Sequence, residues 1–249
     1  MIKLIQKIAQ KFGYNFVELN EIPGDIIEKE FLESYEKNID FSMTSVIRMY
    51  TLYNSIKYVL DNNIEGDIVE CGVWKGGSIM LCADILLNRN IKNRKIWLYD
   101  TYEGMSKPTD KDINSGFLEK AFYKWKQRQT ATHNTWCYSP IGEVKQNILS
   151  TGYPEENINF VKGKVEDTIP GEIPNKISLL HLDTDWYEST YHELKHLFPL
   201  LSKNAVLIVD DYGFWQGSRD AVDQYFKENS IKLLFNRIDY NGRLFFNTV

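Results

Sequence analysis

Five short apolar runs, each followed by a segment of helical or turn character, constrain this chain more than any other feature. Asp67–Cys71, Lys95–Asp100, Ile158–Gly163, Lys176–Asp183 and Asn204–Asp211 are near-continuous stretches rich in Ile, Val, Leu and aromatic residues. Strands with no polar face are those covered by helices on both sides. Helices are expected over Gly76–Asn88, from Ser139-Pro140 to about Leu149, over Trp186–Leu201 and over Ser218–Asn229. Ser139 would cap the second of these, with Pro140 in its first turn. A further helix, Thr44–Asn62, precedes the first strand. Thr44 or Ser45 is its cap, and Ile47, Tyr50, Ile56 and Leu60 lie near helical spacing. Such alternation builds a parallel sheet through right-handed crossovers. The end of the chain breaks the rhythm: Ile231–Phe235 and Arg237–Phe246 read as strands, the second containing the tight-turn pair Asn241-Gly242. The expectation is an α/β, Rossmann-like fold that finishes in antiparallel strands.

A length of 249 residues suits one α/β domain. Within it, residues 1–62 form an N-terminal helical segment, and residues 101–138 an insertion. That insertion is long and polar yet carries Tyr102, Phe117, Phe122, Tyr123, Trp125 and Trp136, so it is expected to be a lid over the site. The 43% hydrophobic and 25% charged content is that of a folded protein. A net charge of −5 gives no electrostatic reason to expect nucleic acid. No apolar run approaches the ~20 residues that span a bilayer. Lysines break up Ile2, Leu4, Ile5 and Ile8 in the stretch 1–12, which is expected to dock on its own core or on a sister subunit of a homo-oligomer. Cys71, Cys82 and Cys137 fit neither a disulfide framework nor a zinc site, as in a reduced, cytoplasmic protein.

Ligands of open parallel sheets sit beyond the carboxyl ends of the strands. The first strand ends in Glu70-Cys71-Gly72-Val73-Trp74-Lys75-Gly76-Gly77-Ser78. This matches neither G-x-G-x-x-G nor the phosphate loop, in which the lysine follows the second glycine. It reads as a nucleoside loop with an acid in front. Glu70 is badly placed for a pyrophosphate and well placed for a cationic group, such as the amino group or sulfonium of S-adenosylmethionine. Asp100 can take two ribose hydroxyls. The plainer alternative is a tight strand–helix turn with a surface acid.

Further along, Asp183 and Asp210 end two strands. If those strands are neighbours, about 4.8 Å apart, their carboxylates and that of Asp211 can reach one ion. Like charges in one place need neutralising. A hard cation, Mg²⁺ for preference, does this with oxygen ligands. Here the plainer alternative is a helix-capping loop.

Several stretches together resemble the macrocin O-methyltransferase family: Met43-Thr44-Ser45; Val69 to Ser78; Asp100-Thr101-Tyr102-Glu103-Gly104-Met105; Leu182 to Thr190; and Asp210-Asp211-Tyr212-Gly213, with Gly163 to Thr168 and Gly217 to Phe226 in support. The likeness runs from about residue 40 to 230. It implies a class I S-adenosylmethionine-dependent, Mg²⁺-dependent sugar O-methyltransferase. By motif, Asp183, Asp210 and Asp211 match the metal ligands, and Asp185 the general base beside catalytic Asp183. Thr44, Ser45, Glu70, Gly72, Gly76, Ser78, Asp100 and Thr101 match the cofactor loop contacts, and Val165 and Glu166 the adenine site. The acceptor, a small sugar-containing molecule, does not carry over.

Three rival readings remain. His192-Glu193-Leu194-Lys195-His196 fits the zinc-protease signature H-E-x-x-H. At about 100° per residue, however, both histidines fall opposite the apolar face of Trp186, Thr190, Leu194 and Leu197. Asp183-Thr184-Asp185 also resembles the D-x-D of metal-dependent glycosyltransferases, and a non-catalytic protein keeping the fold is the third reading. His181, inside an apolar strand, is expected to be a satisfied core histidine, and His133 an exposed loop residue. Trp74 and Trp186 either wall the site or pack the core.

Overall fold

The apolar runs do form strands. The structure is a computed structural model that describes residue 11 and residues 22–248. The expected docking helix at 1–12 therefore lies, Lys11 apart, outside the described residues. Chain order is α1 (Lys29–Asn38), α2 (Val46–Asp61), β1 (Asp67–Cys71), α3 (Gly77–Asn88), β2 (Ile96–Asp100), α4 (Ala121–Arg128), α5 (Ile141–Leu149), β3 (Ile158–Lys162), the single turn α6 (Val165–Thr168), β4 (Ile177–Leu182), α7 (Tyr187–Leu197), β5 (Leu201–Val209), α8 (Gln216–Glu228), β6 (Asn236–Arg237) and β7 (Arg243–Phe246).

The sheet order is β3-β2-β1-β4-β5-β7-β6. Pairs from β3 to β5 are parallel, and β7 is antiparallel to both β5 and β6. After β1 the chain moves outward to β2 and β3, then returns on the other side of β1 as β4. The crevice at this switch point is where such sheets bind ligands. Register places Glu70 beside His181 and Cys71 beside Leu182.

Helix α3 is buried along most of its length. It lies against the sheet and packs on α1, α2 and α5. On the same side Phe31 is enclosed by the rings of Tyr35, Tyr50 and Tyr53. Ser45 caps α2 through its side chain, accepting from the Arg48 amide, as expected.

Several boundaries differ from expectation. Pro140, not Ser139, stands at the N-cap of α5; the extended Pro140 delays the helix to Ile141, and the buried Ser139 hydroxyl bonds to nothing. Helix α7 stops at Leu197, because Phe198–Leu200 tightens into a 3₁₀ turn around Pro199, which lacks an amide hydrogen. As a result β5 starts at Leu201, three residues before the expected Asn204. Residues 231–235 are not a strand: Ile231 and Leu233 pack on the core while Leu234 is 78% exposed. The terminal hairpin uses only Asn236–Arg237 and Arg243–Phe246, with Asn241-Gly242 in its turn.

The 101–138 insertion is pinned in place. Buried Asp112 accepts from the amide of Tyr187 at the start of α7 and from the amide of Thr109. Ile113 O accepts from the Gln216 amide, and Trp136 packs with Trp186 and Trp215 at ring distances of 5.6 and 6.1 Å. Trp186 and Trp215 therefore belong to a small second core beneath the insertion.

Candidate active site

A cavity of about 400 Å³ opens at the carboxyl ends of the strands, with the 101–138 insertion on one wall. Its nucleoside half is built by β1 and β2. Gly72 sits at φ +86°, and a Cβ there would lie 2.0 Å from the carbonyl oxygen of Asp183. No other residue lets the β1 turn pass the end of β4 so closely. Asp100 organises the turn: one oxygen accepts from the amides of Val73 (2.7 Å) and Trp74 (3.1 Å), the other from that of Tyr102 (2.7 Å). Burial pushes its carboxyl up, and these amides oppose the shift.

Of the ten expected cofactor residues, Thr44, Gly72, Asp100, Thr101, Val165 and Glu166 line the cavity. Ser45, Glu70, Gly76 and Ser78 stand behind it. Ser45 is spent on its helix cap. Gly76, at φ +92°, turns the chain into α3. Glu70 faces inward, its Oε1 3.0 Å from His181 Nδ1 and its Oε2 without a partner.

The other half is acidic. Asp183, Asp185, Asp210 and Asp211 all line the cavity. Ligand atoms of Asp183, Asp185 and Asp211 lie within 4.8 Å of one another, as do those of His181, Asp183 and Asp210. The sets share Asp183, while Asp210 falls in one and Asp211 in the other. Asp185 is held at φ +68°, a left-handed conformation that costs free energy and clusters at functional sites.

Crowding shows in the protonation of these groups. Burial, then repulsion from Asp210 and Asp211, pushes Asp183 well above the carboxylate range. Burial and the nearby Asp185 do the same to Asp211. Asp185 rises to about 7, mainly through burial. Asp210 is the exception: burial pushes it up, but His181 and Arg48 outweigh this and hold it low. One buried oxygen of Asp211 has no hydrogen-bond partner. Asp210 Oδ1 likewise has none, and clustered oxygen donors with two such orphans fit a hard dication.

Three residues of this site escaped the sequence. Arg48, one turn into α2, donates to Asp210 and lies 3.3 Å from Asp239 in the β6–β7 turn. Its place three residues after the cap was the available signal. His181 bridges Glu70 and Asp210, its Nε2 lying 3.5 Å from Asp210 Oδ1. Those carboxylates outweigh burial and hold the imidazole well above its usual range, so it is the buried, satisfied histidine expected, and it also links the two halves of the site. Glu193 is fully buried, and both its oxygens accept from the Thr184 hydroxyl, at 2.9 and 3.1 Å. It shares the helical stripe of Trp186, Thr190 and Leu197, which spacing alone could have shown.

That stripe also removes the zinc-protease reading. Glu193 points inward, His192 Nε2 lies 2.8 Å from the Ile169 carbonyl, and neither histidine joins a metal-ligating group among the described residues.

The family model for macrocin O-methyltransferase (TylF) matches residues 35–247. The chain belongs to the macrocin O-methyltransferase family. This methyltransferase is 30% identical over 205 residues to an 8-demethyl-8-(2,3-dimethoxy-α-L-rhamnosyl)-tetracenomycin-C 4′-O-methyltransferase of Streptomyces olivaceus, covering 82% of this chain and 75% of that one. It is 29% identical over 201 residues to the demethyldecarbamoylnovobiocin O-methyltransferase of Streptomyces niveus, covering 81% and 73%. Among solved structures, the O-methyltransferase NovP superposes with a TM-score of 0.73 at 28% identity, over 84% of this chain and 83% of the other. The calicheamicin methyltransferase CalS11 shares the fold, with a TM-score of 0.61 at 18% identity over 98% and 91%. The protein is thus a class I, S-adenosylmethionine-dependent O-methyltransferase, and the glycosyltransferase and non-catalytic readings fall away. No helix among the described residues is long and apolar enough to cross a membrane.

Proposed function

We propose that this methyltransferase methylates a hydroxyl of a sugar or sugar-bearing small molecule, assisted by Mg²⁺ or another hard dication held at the acid cluster. The observation that carries this reading is the convergence of Asp183, Asp185 and Asp211 within 4.8 Å beside the nucleoside loop. A sugar hydroxyl is a poor nucleophile at neutral pH. A bound dication lowers the pKa of such a hydroxyl and fixes its orientation. Asp183 and Asp211, with Asp210 steadied by Arg48 and His181, are the residues to hold it. S-adenosylmethionine supplies an electrophilic methyl group, and Thr44, Gly72, Asp100, Thr101, Val165 and Glu166 bind the nucleoside that carries it.

Asp185 takes the hydroxyl proton on a carboxylate oxygen. Its carboxyl stands at about 7 without metal, and a dication held beside it would lower this toward the ionised form that a general base needs. The insertion walls the cavity with Trp136 and Met105 and keeps water from competing. The names of the relatives, which act on rhamnosyl and novobiocin compounds, support a glycosidic acceptor. Three free cysteines support a reducing, cytoplasmic setting. The decisive test is metal removal: chelation with EDTA should abolish turnover and added Mg²⁺ restore it. Full activity in EDTA would make the acid cluster structural.

A further inference from the structure

The acid half of the cavity faces a wall of opposite character. Within 101–138 there are six Lys and Arg side chains against four acidic ones, in a chain of net charge −5. Several cations of this region are already paired. Lys111 pairs with Glu188, Lys120 with Asp110 and Lys162 with Glu103, at 2.7–3.4 Å. Among cavity-lining cations, Arg48 is tied to Asp210 and Asp239. Lys164 stands at the nucleoside end, next to Val165 and Glu166.

Lys124 differs. It projects from α4 into the cavity wall and makes no ion pair with any described residue. Its ammonium rests 4.0 Å from the centre of the Trp136 ring, and Trp136 is itself fixed against Trp186 and Trp215. A ring face positions a cation without cancelling its charge, whereas a carboxylate would cancel it. Lys124, Trp136, Cys137 and Asp185 line the same cavity, so a ligand whose hydroxyl meets Asp185 shares its space with the Lys124 ammonium.

We propose that Lys124, seated on Trp136, is an acceptor subsite for a phosphoryl group attached to the sugar, so that the substrate is a phosphate- or diphosphate-linked sugar. This rests on the sugar-methylating reading above and adds the chemical class of the acceptor. A carboxylate carried on the ring itself would be drawn in among four aspartates. A phosphoryl group on the far, anomeric side stays at the rim, where Lys124 waits. It also offers several acceptor oxygens to an ammonium, the stronger kind of hydrogen bond. In an acidic protein, an unpaired cation at the mouth steers such a ligand inward.

The test compares acceptors in the Mg²⁺-supplemented enzyme with S-adenosylmethionine: dTDP-L-rhamnose, L-rhamnose 1-phosphate and neutral methyl α-L-rhamnoside. Lys124 is exposed, so Lys124→Met leaves the fold intact. The variant should lower the kcat/KM ratio of phosphorylated to neutral acceptor by about tenfold or more, the scale of one charge-assisted hydrogen bond. Lys124→Arg should restore most of the ratio, since it keeps the charge. Raised salt should erode the ratio in the parent enzyme and not in Lys124→Met. A nucleotide-linked substrate shows a larger effect with dTDP-L-rhamnose than with the monophosphate; equal effects point to the phosphate alone.

Calorimetric titration of dTDP-L-rhamnose into protein loaded with S-adenosylhomocysteine separates this proposal from the functional one. Lys124-dependent binding without methylation of any sugar would sink the function and leave the subsite. Methylation of the neutral glycoside, with a ratio that Lys124→Met does not move, would sink the subsite and leave the function.

Discussion

The two halves of the cavity treat their carboxylates in opposite ways. At the end of β2, Asp100 is surrounded by donors: three backbone amides meet it within 3.1 Å. At the ends of β4 and β5, Asp183 and Asp211 crowd against each other, Asp185 and Asp210, and one Asp211 oxygen has no hydrogen-bond partner. The first half is complete as it stands and presents a shaped rim to a nucleoside. The second stores repulsion that a cation relieves. An acid satisfied by the main chain shapes a loop, and one satisfied by nothing marks where charge must arrive.

The contrast can be broken at single residues. Asp185→Asn should lower kcat by about 10²- to 10⁴-fold, the usual contribution of a general base, while calorimetry still shows S-adenosylhomocysteine binding. Near-normal turnover in that variant would remove Asp185 as the base. Asp100→Asn should do the reverse, weakening S-adenosylhomocysteine by about tenfold or more through its disturbed amide contacts with Mg²⁺ affinity unchanged. Loss of both together would mean that the halves are not separable.

A smaller effect is expected at Glu193. Burial keeps its carboxyl well above the usual range, hence neutral, so Glu193→Gln can still hold Thr184 between the two aspartates. Glu193→Ala strands that hydroxyl and should cost about 1–3 kcal/mol in denaturant unfolding. Equal stability of the two variants would deny Glu193 its anchoring role.

The smallest effect is on pH dependence without metal. Asp185, at about 7 in the fold, sits above its unfolded value of 3.8. Between those values the folded state binds more protons than the unfolded one, so stability falls as pH rises through this window. His181 acts in the same direction: its raised pKa contributes stability below 6.5 that is lost as pH rises through the folded value. Metal-free protein should therefore melt lower at pH 8 than at pH 5.5, and Mg²⁺ should narrow the gap. A melting temperature that climbs with pH in EDTA would contradict the stored repulsion.

How legible all this was depends on range. Strands β1 and β4 were readable because burial on both faces leaves no polar alternation to misread, and the Ser45 cap because capping is local. Asp183 and Asp210 could be placed at one rim because a parallel sheet aligns its carboxyl ends. What escaped lies across the sequence. Arg48 and Asp210 are 162 positions apart, and His181 and Glu70 are 111 apart; neither pairing follows without the strand order. Ser139 was misjudged for a local reason: the proline after it took the capping position. Residues 231–235 are apolar enough for a strand, yet β7 already pairs with the two-residue β6 beyond them.

The contact between Gly72 and the Asp183 carbonyl has a broader consequence. It is main chain against main chain, so the gap between donor seat and acid seat is gauged by the skeleton of the sheet and not by any side chain. Replacing the insertion, or the lysine it carries, changes what is admitted without resetting that gauge. A scaffold of this kind can exchange acceptors over evolution while its reacting distance stays constant.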